Sequence, residues 1–174
     1  DEEYVNRCKT TGVRVVNFED LGQGARLADA VINDLYEKKN ELNNHYWGSE
    51  FYCIRDEFLL AKPSEFRECV EEVLVIFGGT DPCNLTKRLF DVIQNLDNTK
   101  IHYTFILGMG YKRADELIEK SKIQNLNVDF IQDVKLMTEY MGKADIAISS
   151  QGRTMLELAS MGVPTILMAQ NKRE

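Results

Sequence analysis

From residue 73 onward the chain alternates short, wholly apolar runs with amphipathic stretches of helical period, and few folds accommodate that pattern. Val73-Leu74-Val75-Ile76-Phe77 closes on Gly78-Gly79. A run apolar on both faces suits a strand covered by helices on each side. Asp81-Pro82 then reads as an N-cap followed by proline at the first helical position. Leu85, Leu89, Val92, Ile93 and Leu96 share one helical face beyond it. The alternation continues with a strand over 103–107 closed by Gly108-Met109-Gly110, and a helix over 113–121 with Ala114, Leu117 and Ile118 on one face. A strand over 128–131, a helix over 134–141, a strand over 146–149, a helix over 154–161 and a strand over 164–168 complete it. Strands in strict alternation with helices specify an α/β fold, a Rossmann-like parallel sheet wound by right-handed crossovers.

Residues 1–60 lack that rhythm. Val13-Arg14-Val15-Val16-Asn17, Ala30-Val31-Ile32-Asn33 and Phe51-Tyr52-Cys53-Ile54 are short strand candidates with no long amphipathic helix between them. The first residues open neither a strand nor a capped helix, and residues 170–174 follow a strand that normally feeds a helix. We therefore expect residues 1–60 to be the trailing part of an N-terminal α/β domain. Residues 61–72 would be a linker, and 73–174 a truncated C-terminal Rossmann-like domain.

Charge and cysteine usage exclude several function classes. The net charge is −7 and the isoelectric point about 5.0, so neither a general nucleic-acid surface nor an anionic-membrane surface is expected. The excess is uneven: residues 1–72 carry 16 acidic and 9 basic side chains, and residues 73–174 carry 12 of each. An anionic ligand is therefore repelled less by the second segment. No apolar run reaches the roughly 18 residues of a membrane helix, and Asp1-Glu2-Glu3 is the opposite of a signal peptide. The four cysteines contain no CxxC pair and neither His45 nor His102 has zinc-like spacing. Reduced thiols in a cytoplasmic chain, with no metal and no cofactor, are the expectation.

In an open parallel sheet, ligands bind beyond the carboxyl ends of the strands. The most informative loop there is Ser149-Ser150-Gln151-Gly152-Arg153-Thr154-Met155-Leu156-Glu157. A glycine at a strand-to-helix turn lets the backbone approach a ligand, and the exposed amides of a helix start favour a phosphate. Ser150, Thr154 and Arg153 supply further donors to a pyrophosphate, and Glu157 is an acceptor for the two hydroxyls of a ribose. A structural reading stands beside this one: Thr154-x-x-Glu157 is a capping-box pattern, and Ser150 serves equally as a helix cap. Gly78-Gly79-Thr80-Asp81 is the second candidate, with Gly79 and Thr80 lining the cleft while Asp81 occupies the helix amides. The loop from Gly108 to Tyr111 opens on the same edge.

Catalytic signals are sparse. There is no Walker A lysine motif, no GxSxG elbow and no HExxH, and the lone Gly22-x-Gly24 lacks a third glycine. His45 reads as a loop residue and His102 as the start of a strand.

Taken together, Leu74 through Pro82, then Phe130-Ile131-Gln132-Asp133, then Gly152 through Ala159 with Gly162-Val163-Pro164 resemble the C-terminal half of GT-B nucleotide-sugar enzymes. The resemblance is strongest to the UDP-sugar hydrolase of pseudaminic acid biosynthesis and to spore coat polysaccharide biosynthesis proteins, and more distant to the peptidoglycan N-acetylglucosaminyl transferase. Arg55-Asp56-Glu57-Phe58 and Val16-Asn17-Phe18-Glu19-Asp20 are similar to the hydrolase branch. This implies a two-domain protein with a UDP-sugar in the cleft, held mainly by the second domain without a metal. The uracil would pair with backbone at Ile131, the turn at Gly152 would meet the diphosphate with Ser150, Gln151, Arg153 and Thr154 around it, and Glu157 would take the ribose. Gly79, Thr80 and Gly108 would line the nucleotide, and Asn171 would face the sugar. Arg153 departs from the small residue common in the transferases.

The family's catalytic histidine lies in an early glycine-rich loop that has no counterpart here, so no catalytic residue is expected in this chain, and these residues alone would be inactive. The expected function is the UDP-sugar-binding part of an enzyme that hydrolyses a UDP-linked diacetamido-trideoxy sugar in surface polysaccharide or nonulosonic acid biosynthesis. A glycosyltransferase of surface polysaccharide synthesis and a non-catalytic nucleotide-binding module are the alternatives.

Overall fold

Eight strands, all parallel to their neighbours, form two separate sheets among the residues that the computed structural model describes, 1–35, 38, 41–96 and 100–172. The chain divides into two units, residues 1–53 and residues 54–172. Residues 173 and 174, the end of the expected C-terminal domain, lie outside the described residues.

The first unit holds α1 (Glu2–Thr10), β1 (Val16–Phe18), β2 (Ala30–Asn33) and β3 (His45–Trp47) in a sheet of order β1-β2-β3. Two expectations are corrected here. The chain does open a capped helix: the Asp1 carboxylate accepts the Tyr4 N–H at 2.8 Å. Only Val5 of α1 is buried, so the helix leaves almost no apolar period in the sequence. The third strand is His45–Trp47 rather than 51–54, where a 3-10 turn (Ser49–Phe51) stands instead. His45 is accordingly a strand residue, stacked on Trp47 with ring centroids 5.6 Å apart. Val5, Val15, Ala25, Ala28 and Val31 form this unit's small core.

The second unit begins with α2 (Asp56–Leu60) and then follows the expected alternation: β4 (Glu72–Ile76), α3 (Leu85–Ile93), β5 (His102–Leu107), α4 (Ala114–Ile123), β6 (Val128–Gln132), α5 (Thr138–Met141), β7 (Ile146–Ser149), α6 (Arg153–Ser160) and β8 (Thr165–Leu167). The strand order is β6-β5-β4-β7-β8, a doubly wound arrangement. Its core has two halves, one on each sheet face. Val73, Val75, Phe77, Phe105 and Leu107 point toward Leu85, Phe90 and Ile93 of α3 and Leu117 of α4. Leu74, Ile76, Ile106 and Ala147 point the other way, onto Phe58, Met141, Leu158 and Met161. This period of two on a strand buried from both sides is why residues 73–77 read as an unbroken apolar run. Fully burying side chains such as Phe90 and Leu117 is worth about 1.5–3 kcal/mol each.

Three local expectations differ. Helix α3 starts at Leu85, not after Asp81, and buries Leu85, Thr86, Phe90 and Ile93 while Val92 is exposed and Leu96 lies beyond its end. Helix α5 is four residues long because Asp133 turns at a φ of 55° and the chain runs irregularly before Thr138. Helix α6 starts at Arg153. No described helix is long and apolar enough to cross a membrane.

Candidate functional site

The strand order reverses between β4 and β7, and that switch point places two loops side by side at the carboxyl edge of the second unit's sheet. One is 77–81, the other 150–152. They are tied together where the Ser150 N–H donates to the Ile76 carbonyl at 3.3 Å. Gly78 leaves β4 with a φ of 79°, a left-handed turn that favours glycine.

The glycines around this edge have different reasons to be glycine. A Cβ on Gly108 would stand 2.3 Å from the Gly79 carbonyl oxygen, so Gly108 is demanded by packing between the loops after β4 and β5. Among the described residues an added Cβ at Gly79 or Gly152 would meet nothing within 4 Å, and Gly152 has a φ of −116° that any residue adopts. Neither internal packing nor, for Gly152, backbone strain requires glycine.

Helix α6 completes the pattern. Its N-terminus lies at Gly152 with no side-chain cap and no acidic residue in its first turn. The other α-helices of this unit carry carboxylates there. Asp81 reaches forward so that Oδ1 accepts the Leu85 N–H at 2.9 Å and Oδ2 the Thr86 N–H at 2.7 Å. Glu57 accepts the Thr138 N–H at 3.2 Å, α2 opens on Asp56 and Glu57, and α4 on Asp115 and Glu116. Among the described residues, α6 is thus the α-helix of this unit with no carboxylate placed at its first turn, and a helix start of that kind favours an anion. Gln151 and Arg153 are exposed beside them, Ser150 is buried and Thr154 half-buried.

The capping-box reading of Thr154 and Glu157 does not hold, because Thr154 is the second residue of the helix rather than its cap. Glu157 is 7% exposed, and its Oε1 accepts from Arg55 Nε at 2.9 Å. The Arg55 guanidinium also pairs with Glu57 Oε1 at 2.8 Å and lies 5.1 Å from the Phe58 ring centroid. The second oxygen of Glu157 has no protein donor among the described residues.

Comparison with known proteins decides the family. Residues 73–174 match the glycosyltransferase family 28 C-terminal domain. The chain belongs to that family. An uncharacterized protein of Methanocaldococcus jannaschii is 25% identical over 189 positions, covering 99% of this chain and 39% of its own length. Among solved structures, MurG of Acinetobacter baumannii superposes with a TM-score of 0.60 at 15% identity, covering 98% of this chain and 50% of that one. The apo form of the lipopolysaccharide outer core galactosyltransferase WaaB gives 0.57 at 14% identity, covering 99% and 56%. These likenesses establish the parallel-sheet, Rossmann-like fold of GT-B glycosyltransferases. The chain spans well under two thirds of each of these proteins.

In this family 28 C-terminal domain the matched segment starts in β4 and contains every loop just described. Ile131 lies apart from the switch point, on the edge strand β6. The Tyr103 N–H donates to the Asn127 carbonyl at 3.1 Å, with Tyr103 paired to Val128. Along a parallel ladder this turns the main-chain groups of 127, 129 and 131 into β5, and those of 128, 130 and 132 toward the open edge. Asn171 is exposed after β8. Gln170, which the sequence reading passed over, binds that segment to the switch point: its Nε2 donates to the Phe77 carbonyl at 2.8 Å and its carbonyl accepts from the Cys83 thiol at 3.0 Å.

The second unit also has a groove of about 780 Å³ at the opposite, amino edge of the sheet, lined by Lys62, Arg67, Glu72, His102, Asp129, Ile131 and Lys143 among others. There His102 bridges Glu72 at 2.7 Å and Asp129 at 3.2 Å. These contacts raise the imidazole pKa above its ordinary value although burial works against them. Concavity alone would favour this groove, but the amino edge of a parallel sheet presents no helix N-termini.

Proposed function

We propose that residues 73–172 bind the nucleoside diphosphate of a UDP-sugar at the β4/β7 switch point, as part of a GT-B enzyme that transfers a glycosyl group. The observation that supports this reading is an α6 N-terminus with no side-chain cap and no acidic residue in its first turn, beside Gly152 and Gly79, whose Cβ positions meet no described residue within 4 Å. In this proposal the diphosphate sits on the amides of α6, with Ser150, Gln151, Thr154 and the Arg153 guanidinium around it. Gly79 and Thr80 form the facing wall, with Gly108 behind them as packing. Glu157 accepts from the ribose hydroxyls. The base extends toward Ile131, two strand spacings or about 10 Å along the edge, where the outward main chain of Gln132 offers it a polar partner. Asn171 lies on the sugar side.

The chemistry follows from charge. When the bond between the sugar C1 and the diphosphate oxygen breaks, negative charge grows on the departing UDP. Amides and a helix dipole already aimed at it stabilise that charge without reorganising. An incoming hydroxyl forms the new bond to C1 and loses its proton, and UDP leaves. The proposed enzyme is a glycosyltransferase, the activity that the family and the WaaB neighbour carry in their names. A hydrolase that uses water in place of the acceptor is the second reading, favoured by the Arg55-Asp56-Glu57-Phe58 segment.

Calorimetric titration of the chain with UDP tests the site. The expected result is saturable one-to-one binding, weakened for UMP and absent for NADH. Absence of UDP binding, or binding that UMP reproduces in full, contradicts the proposal.

A further inference from the structure

We infer that Arg55 is a positioning residue that fixes Glu157 for recognition of the ribose hydroxyls, an inference that rests on the nucleotide reading above. A glutamate on an exposed helix samples several rotamers, and a hydroxyl pair finds it only after that freedom is lost. Here the freedom is already removed. Arg55 Nε holds Oε1 at 2.9 Å, and the guanidinium is itself held by Glu57 at 2.8 Å and laid on Phe58. Phe58 is 6% exposed and belongs to the core, while Glu57 is anchored by the Thr138 N–H at 3.2 Å.

The line of contacts from core to carboxylate is therefore continuous, and among the described residues it leaves Oε2 as the acceptor without a protein donor. Arg55 also offsets the negative charge of Glu157, which lies in the second turn of the helix whose N-terminus is proposed to meet a diphosphate. A lysine cannot reproduce this, because one ammonium lacks the planar fork that bonds two carboxylates in fixed directions.

The test compares UDP with 2′,3′-dideoxy-UDP, titrated into the 174-residue chain and its Arg55→Ala and Arg55→Lys variants. Wild type is expected to favour UDP by about tenfold or more, the worth of a hydrogen bond to a charged group. Arg55→Ala should bring that preference to within about threefold, with Arg55→Lys also reduced. A purely structural role would weaken both ligands equally and leave the ratio unchanged, and that result overturns the inference. If Arg55→Ala shows no cooperative thermal transition, Arg55→Lys decides: an unaltered ratio there is equally fatal. Wild type that binds UDP but ignores the ribose hydroxyls also overturns it, whereas wild type that binds no UDP at all overturns the nucleotide site itself.

Discussion

The carbonyl oxygen of Gly79 lies where a side chain on Gly108 would begin, 2.3 Å from the Cβ position. Two loops at the sheet's carboxyl edge thus touch backbone to backbone, and Gly108 is glycine for the fold's sake. Gly152 faces unfilled space instead. Substituting the two should therefore separate stability from binding. Gly108→Ala is expected to cost about 1–3 kcal/mol through overpacking, read as a lower urea midpoint. Gly152→Val should keep the wild-type midpoint and lose UDP binding, because its side chain would occupy the space assigned to phosphate. A Gly152→Val variant that binds UDP normally would remove the ligand-based reason for glycine there.

Asp81 supplies a second contrast. Its carboxylate serves the amides of Leu85 and Thr86 from a buried position at a φ of 41°, whereas α6 has no side-chain cap and no acidic residue in its first turn. Asp81→Ala should destabilise by about 0.5–2 kcal/mol, the usual worth of such a cap. Urea unfolding monitored by circular dichroism measures it, and an unchanged midpoint would show that the two bonds contribute nothing net.

The amino edge should respond to pH. Because the folded pKa of His102 lies above 6.5, its bridge to Glu72 and Asp129 contributes stability that is full below the unfolded pKa. That contribution is lost as pH rises through the folded value. Urea midpoints measured from about pH 5.5 to about pH 8.5 should fall on the alkaline side in wild type, and His102→Gln should flatten that part of the curve. Parallel curves for the two proteins would mean that the bridge does not titrate with folding.

What the sequence disclosed follows burial. The strands of the second unit were legible because residues such as Val73, Leu74 and Val75 are buried on both faces, so apolarity and structure coincide. Helix α1 was illegible for the opposite reason: Val5 is its sole buried residue, and its N-cap is Asp1. His45–Trp47 was hidden because a three-residue strand carries no periodicity, and Phe51 looked more like one although it lies in a 3-10 turn. The helix start after Asp81 was misplaced because the aspartate caps from four and five residues upstream rather than three. At the site, the loop at Gly152 was readable from a glycine between strand and helix. The partner of Glu157 was not, since Arg55 lies 102 residues away in the chain and no local pattern joins them.

The central claim is that the α6 N-terminus is where a diphosphate lands, and amide chemical shifts read this residue by residue. In a nitrogen-15 correlation spectrum of the chain titrated with UDP, the account predicts saturable shifts at Gly79, Gly152, Arg153 and Thr154. The Leu85 and Thr86 amides, already held by Asp81, should stay in place. Shifts concentrated instead at His102, Asp129 and Lys143 in the amino-edge groove, or no saturable shift at the α6 amides, would contradict it.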